Sequence, residues 1–254
     1  MAPTGNGVQS RPRAPRNVKV EQVEYRCGPL ALTGILALPG SGSATGGVLL
    51  VHEASGLGAH VQRRAEQLAE LGYAALAADM FGAGPAELAL AAGREKVEAL
   101  LASPGQIIAL LRSALEAVRE RTGIAADRVA VVGYCFGGSA ALELARGGED
   151  VAAAVCFHGR LSPLGGARTT PLHPRVLAVM GSQDPMIPAA TIESFAHEMD
   201  EVQADWQLVL LGGAKHAFTD VNADRLGVAG VEHSPTADHR SWNLLISFLD
   251  EVLS

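Results

Sequence analysis

Apolar and polar positions alternate over residues 18–25 and again over residues 30–38, the pattern of two paired strands that each keep one wet face. Further along the chain the pattern changes. "GGVLLVHE", "AALAAD", "RVAVVG", "VAAAVCFHG", "RVLAVMG" and "WQLVLLG" are short, nearly unbroken apolar runs, as expected of strands buried on both faces. Between them lie stretches with helical spacing: 59–73, 86–101, 104–123, 136–145, 189–200 and 238–253. The third opens on Pro104 and closes on Gly123, as a helix should. Strand and helix alternating in this way predict an α/β fold: a mostly parallel central sheet with helices on both faces and the first two strands as an antiparallel edge.

Composition narrows the function. With 254 residues, 48% of them hydrophobic and 19% charged, the chain can fill a large core. A net charge of −7 gives no reason to expect a nucleic-acid or membrane partner. Three cysteines, Cys27, Cys135 and Cys156, make neither a disulfide framework nor a zinc pattern, and point to a reducing, cytoplasmic setting. No apolar run reaches the ~20 residues that span a bilayer. Residues 1–16, rich in Pro and Arg, read as a flexible leader, and 17–254 as a single domain.

In parallel sheets the chemistry lies at the carboxyl ends of the strands. Those ends deliver His52-Glu53, Asp79, Cys135, His158, Asp184 and His216. Cys135 stands out, because "GYCFGG" places it between Gly133 and Gly137 where a strand becomes a helix. That is the nucleophile elbow, whose tight turn demands small neighbours. The helix that follows aims free N–H groups at the sulfur, favouring the thiolate and offering donors to an oxyanion. A structural cysteine would need no flanking glycines, so for Cys27 and Cys156 packing is the better reading. Downstream, Asp184 in "GSQDPMIP" and His216 in "LGGAKHAF" follow in the order nucleophile, acid, histidine that α/β-hydrolases use.

With those motifs assembled, "HEASGLGAHVQ", "GYCFGG", "GSQDPMIP", "KHAFTD" and the "NADRLGVAGVEHSPTADHRSWNLLISFLDE" tail resemble the dienelactone hydrolase family of α/β-hydrolases. The resemblance extends to family enzymes with promiscuous arylesterase and phosphotriesterase activity. It implies a triad of Cys135, His216 and Asp184, and an oxyanion hole from the backbone N–H groups of Phe136 and Ala54. It further implies that Glu53 sits beside the resting cysteine and moves, or takes its proton, when substrate binds. An ion pair of Glu53 with Arg63 or Arg64 is the alternative. No cofactor and no metal are implied.

The chain departs from the family where the lactone carboxylate would be held by arginines. "DMFGAG" after Asp79 has none, Asp220 occupies the other position, and only Arg94 or Lys96 can fold back. A small neutral ester, lactone or phosphotriester is therefore the expected substrate, with Met80, Phe81, His158 and Phe218 as pocket walls and a monomer or homodimer as the working unit. A true dienelactone hydrolase is the first alternative. A thiol redox sensor built on Cys135 is the second, from another class.

Overall fold

A computed structural model describes residues 17–40, 43–165 and 171–254. The leader expected at residues 1–16 lies outside them. Eight strands form one sheet: β1 (Val18–Cys27), β2 (Leu30–Pro39), β3 (Gly47–Val51), β4 (Ala74–Ala78), β5 (Val129–Tyr134), β6 (Ala153–Phe157), β7 (Arg175–Gly181) and β8 (Trp206–Leu211). Their order is β1-β2-β4-β3-β5-β6-β7-β8. β1 and β2 pair antiparallel at one edge, β2 joins β4 antiparallel, and every later pairing is parallel. This is the mostly parallel α/β sheet with an antiparallel edge that the sequence predicts.

The unbroken apolar runs have a direct cause. On β3 and β5, Leu49, Val51, Val129 and Val131 enter one core, while Val48, Leu50, Ala130 and Val132 enter the other. Helices α3 (Pro104–Thr122), α4 (Phe136–Arg146) and α5 (Ala189–Glu201) supply buried side chains to the first core. Helices α1 (Ala59–Leu71) and α6 (Pro235–Val252) cover the second. Alternate strand positions therefore face opposite layers, and both must be apolar. No helix of the described residues is long and apolar enough to cross a membrane.

Two helix starts differ from the sequence expectation. Helix α2 spans Leu90–Leu101 rather than starting at residue 86. The missing turn is committed elsewhere: the Leu88 N–H donates to the Ser55 carbonyl at 2.8 Å, and a Glu87 carboxylate oxygen accepts the Ala59 N–H at 3.2 Å. Helix α6 starts earlier than residue 238, because Ser234 caps it by accepting the Ala237 N–H and Pro235 begins it.

Candidate active site

β5 ends at Tyr134 and α4 begins at Phe136, so Cys135 alone makes the turn, at φ 53° and ψ −114°. A side-chain-bearing residue at positive φ is strained, and the packing around the turn holds it there. A Cβ on Gly133 would come within 1.9 Å of the Gly137 carbonyl oxygen, and one on Gly137 within 2.2 Å of the Val51 oxygen. The glycines thus let strand, turn and helix pass at backbone contact. Phe136, first residue of α4, keeps a backbone N–H with no acceptor within its helix.

The sulfur of half-buried Cys135 lies 3.1 Å from His216 Nε2. His216 Nδ1 lies 2.8 Å from Asp184 Oδ2. Asp184 follows β7, and its other oxygen accepts the Met186 N–H at 2.8 Å. His216 follows β8 and is fixed by its backbone, its N–H donating to Gly230 and its carbonyl accepting from Glu232. Burial alone would strip the proton from His216, but the hydrogen bonds to Asp184 and Cys135 win and raise its pKa to about 10. The imidazole is thus a cation at neutral pH, beside a sulfur and a carboxylate.

The exit of β3 lies against the elbow, with the Val51 and His52 carbonyls facing Gly137. His52, fully buried, lies 2.7 Å from the Glu53 carbonyl oxygen through Nδ1, and its Nε2 accepts the Met80 N–H at 3.2 Å. With Nε2 accepting, the ring proton sits on Nδ1 and binds that carbonyl. Burial, which disfavours the charged ring, lowers the pKa of His52 and keeps it neutral. The Gly56 N–H donates to the same carbonyl at 3.1 Å. In a planar trans peptide the Ala54 N–H must then point the opposite way from His52.

The remaining expected site residues take other places. Glu53 bonds neither arginine and is not paired with Cys135: its carboxylate meets Nδ1 of His60, from the first turn of α1. Burial would raise the Glu53 pKa, but His60 outweighs it and holds the group below the usual carboxylate range. Asp79 turns back to hold its own loop, accepting from the N–H groups of Phe81, Gly82 and Gly84, each at 2.9 Å. All four expected walls are buried. Met80, His158 and Phe218 are at most 1% exposed, because the exit loops fold their side chains inward. Phe81, 6% exposed, packs edge-on to His52 at 4.5 Å and stacks on Phe136 at 5.8 Å. His158 packs edge-on to His216 at 5.2 Å, with Nε2 2.8 Å from the Thr219 hydroxyl. Burial, with the neighbouring His216 charge, drives the His158 pKa well below its ordinary value. Lys96 does reach back, donating to the Phe81 carbonyl at 3.1 Å. Cys156 is buried and its thiol is pushed up to about 12, so it packs rather than reacts.

Sequence reasoning missed His60, and placed Arg64 against Glu53 directly rather than through His60. The signal was there in outline: His60 and Arg64 are one helical turn apart, and Arg64 is 3% exposed.

Comparison with known proteins bears on this geometry. The pattern of the dienelactone hydrolase family matches residues 32–253. A solved dienelactone hydrolase-like promiscuous phosphotriesterase, P91 from metagenomic libraries, is 31% identical with a TM-score of 0.84, covering 92% of this chain and 98% of its own. A second solved structure, m3DLH, is 37% identical with a TM-score of 0.85 over 93% and 99% of the two chains. A carboxymethylenebutenolidase homologue of Yersinia pestis is 28% identical over 70% of this chain and 68% of its own. The fold is that of the α/β-hydrolases.

Proposed function

The chain belongs to the dienelactone hydrolase family and is an ester or lactone hydrolase of that type; from that premise we propose that it cleaves neutral substrates, without a metal, through an acyl-cysteine intermediate. The observation that carries the route is the continuous line from the Cys135 sulfur to His216 Nε2 at 3.1 Å and from His216 Nδ1 to Asp184 at 2.8 Å. The Cys135 thiolate attacks the carbonyl carbon. The carbonyl oxygen takes the charge and is held by the N–H groups of Phe136 and Ala54. As the tetrahedral species collapses, the leaving alkoxide takes the proton from His216 Nε2, and a thioester remains on Cys135. His216, now neutral, takes a proton from water as it attacks the thioester. The acid departs, and thiolate and imidazolium are restored. Asp184 orients the ring throughout and stabilises its charge.

A neutral substrate fits the surroundings. The candidate oxyanion donors are backbone amides, and the Lys96 ammonium is engaged with the Phe81 carbonyl. Met186, Val221 and Leu226, on the loops that follow Asp184 and His216, are exposed and apolar. Phosphotriester hydrolysis is the second reading, favoured by the likeness to P91. There the thiolate would attack phosphorus and expel the aryloxide, which takes the proton from His216; the same amides would hold the phosphoryl oxygen, and water, losing a proton to His216, would hydrolyse the phospho-cysteine to a phosphodiester and free thiolate.

The test is release of p-nitrophenol from a short-chain ester and from a neutral aryl phosphotriester, with chelator present. Wild type should turn over the ester and Cys135→Ala should not. Ester turnover by Cys135→Ala at the wild-type rate would refute the route, and loss of wild-type activity on chelation would refute its metal independence.

A further inference from the structure

One buried group of side chains at the neighbouring strand end has no part in that route. Glu53 and Cys135 leave adjacent parallel strands at the same height, since Val51 pairs with Gly133 and each residue lies two positions beyond its strand partner. A free carboxylate there would repel a thiolate and favour the protonated thiol. Glu53 is not free. Its carboxylate accepts from His60, which is 7% exposed and lies edge-on to Tyr134, the residue before Cys135, at 4.7 Å. The other ring nitrogen of His60 faces Arg64, whose Nε–H donates to it at 3.4 Å. An accepting Nε2 leaves the ring proton on Nδ1, where it binds Glu53.

Arg64 is itself anchored. Its guanidinium pairs with Asp238 on α6, donates to the Thr219 carbonyl at 3.2 Å and to Gln67 at 3.1 Å, and lies 4.9 Å from the centre of the Trp242 ring. Thr219 also bonds His158, the ring packed against His216. One arginine therefore ties α1, α6 and the histidine loop together around His60.

We propose that His60 is a positioning residue: fixed in one tautomer by Arg64, it keeps the Glu53 carboxylate turned off the Cys135 sulfur, so that Cys135 is paired with His216 before substrate arrives. The inference rests on the reading of Cys135 as nucleophile. It makes the resting sulfur reactive without a switch. The ionisable group that meets the sulfur is His216, after β8; His158, after β6, packs on that ring, and Glu53 leaves the strand next to that of Cys135. Those around His60 are Glu53, Arg64 and Tyr134, with Asp238 reached through Arg64.

The experiment is the rate of iodoacetamide alkylation of Cys135, followed by peptide mapping across about pH 5 to 9, because only the thiolate reacts. Wild type should be alkylated readily at neutral pH. His60→Phe keeps a ring and deletes the donor. It should raise the midpoint by about one pH unit and slow alkylation about tenfold below it. His60→Asn, whose amide nitrogen stands in for Nδ1, should keep the wild-type profile. Adding Glu53→Gln to His60→Phe should restore it. A merely structural role would slow the Phe and Asn variants alike and give no recovery in the double variant, and that result overturns the proposal. So does a His60→Phe profile equal to wild type. Nitrogen-15 NMR tests the tautomer in wild type itself: a proton on His60 Nε2 at neutral pH would overturn the proposal. Alkylation reads the sulfur without turnover, so a failed esterase assay with the expected profile counts against hydrolysis alone.

Discussion

Gly137→Ala perturbs the elbow where it meets the neighbouring strand. A Cβ there would lie 2.2 Å from the Val51 carbonyl oxygen and 2.9 Å from that of His52. Both obstacles are backbone, and Val51 belongs to a strand paired on both sides, so no side chain can swing clear. Relief must come from separating α4 from the exit of β3 by about an ångström, since carbon and oxygen rarely pack closer than ~3.3 Å. Those two elements carry the two candidate oxyanion donors, Phe136 and Ala54. The added methyl is therefore a wedge between the halves of the hole. A misplacement of about 1 Å costs about 100-fold in rate, and loss of one such donor costs about 100- to 1000-fold in kcat. Overpacking should also destabilise the fold by about 1–3 kcal/mol, lowering Tm by about 2–4 °C per kcal/mol at this chain length. The assay is kcat and KM on p-nitrophenyl acetate beside a thermal melt. KM should change little, and Cys135 should still be alkylated because the His216 contact is untouched. A kcat within threefold of wild type would refute the reasoning.

Two further outcomes follow from the ionisable groups. Asp184→Asn should cut kcat by about 10⁴-fold, as loss of the orienting acid does in comparable triads. Because the folded pKa of His216 is raised above its unfolded value to about 10, its contribution to stability is complete below about pH 6.5 and is lost as pH rises through about 10. The stability gap between wild type and Asp184→Asn in urea unfolding should therefore shrink over that window, and a constant gap would contradict the assignment. His158 has the opposite sign: its folded pKa is depressed, so the protein loses stability as pH falls below about 6.5. His158→Gln should flatten the fall in Tm between about pH 7 and 5, and an unchanged slope would show that another group carries it.

The parts of the site that a sequence displays are those written as local constraints. The elbow is legible because its glycines flank one residue at a strand-to-helix junction, the Gly133 contact lying within the turn itself, and Asp184 and His216 because each follows a recognisable strand. Direction is not legible. His158, Phe218 and Met80 sit at strand exits like true site residues, yet their side chains turn inward, a choice made by the packing of distant loops. The start of α2 is hidden for a similar reason: residues 86–89 have helical spacing, but their polar groups serve the loop after β3. Glu53 shows the limit of resemblance. Its partner, His60, lies seven residues on, and is oriented by Arg64, which is anchored in turn by Asp238 more than 170 positions away.

The proposed triad is spread unevenly across the sheet. Cys135 leaves β5, a central strand with neighbours on both sides, whereas His216 follows β8, the outermost strand, and is tied down mainly by residues 230–232. On the proposed route the nucleophile is thus the fixed datum and the histidine its adjustable member. Changes at the free margin of the sheet can retune proton transfer or admit a bulkier leaving group while the sulfur and its anion-binding amides stay where they are. A scaffold divided this way can explore new leaving groups without rebuilding the centre that attacks them.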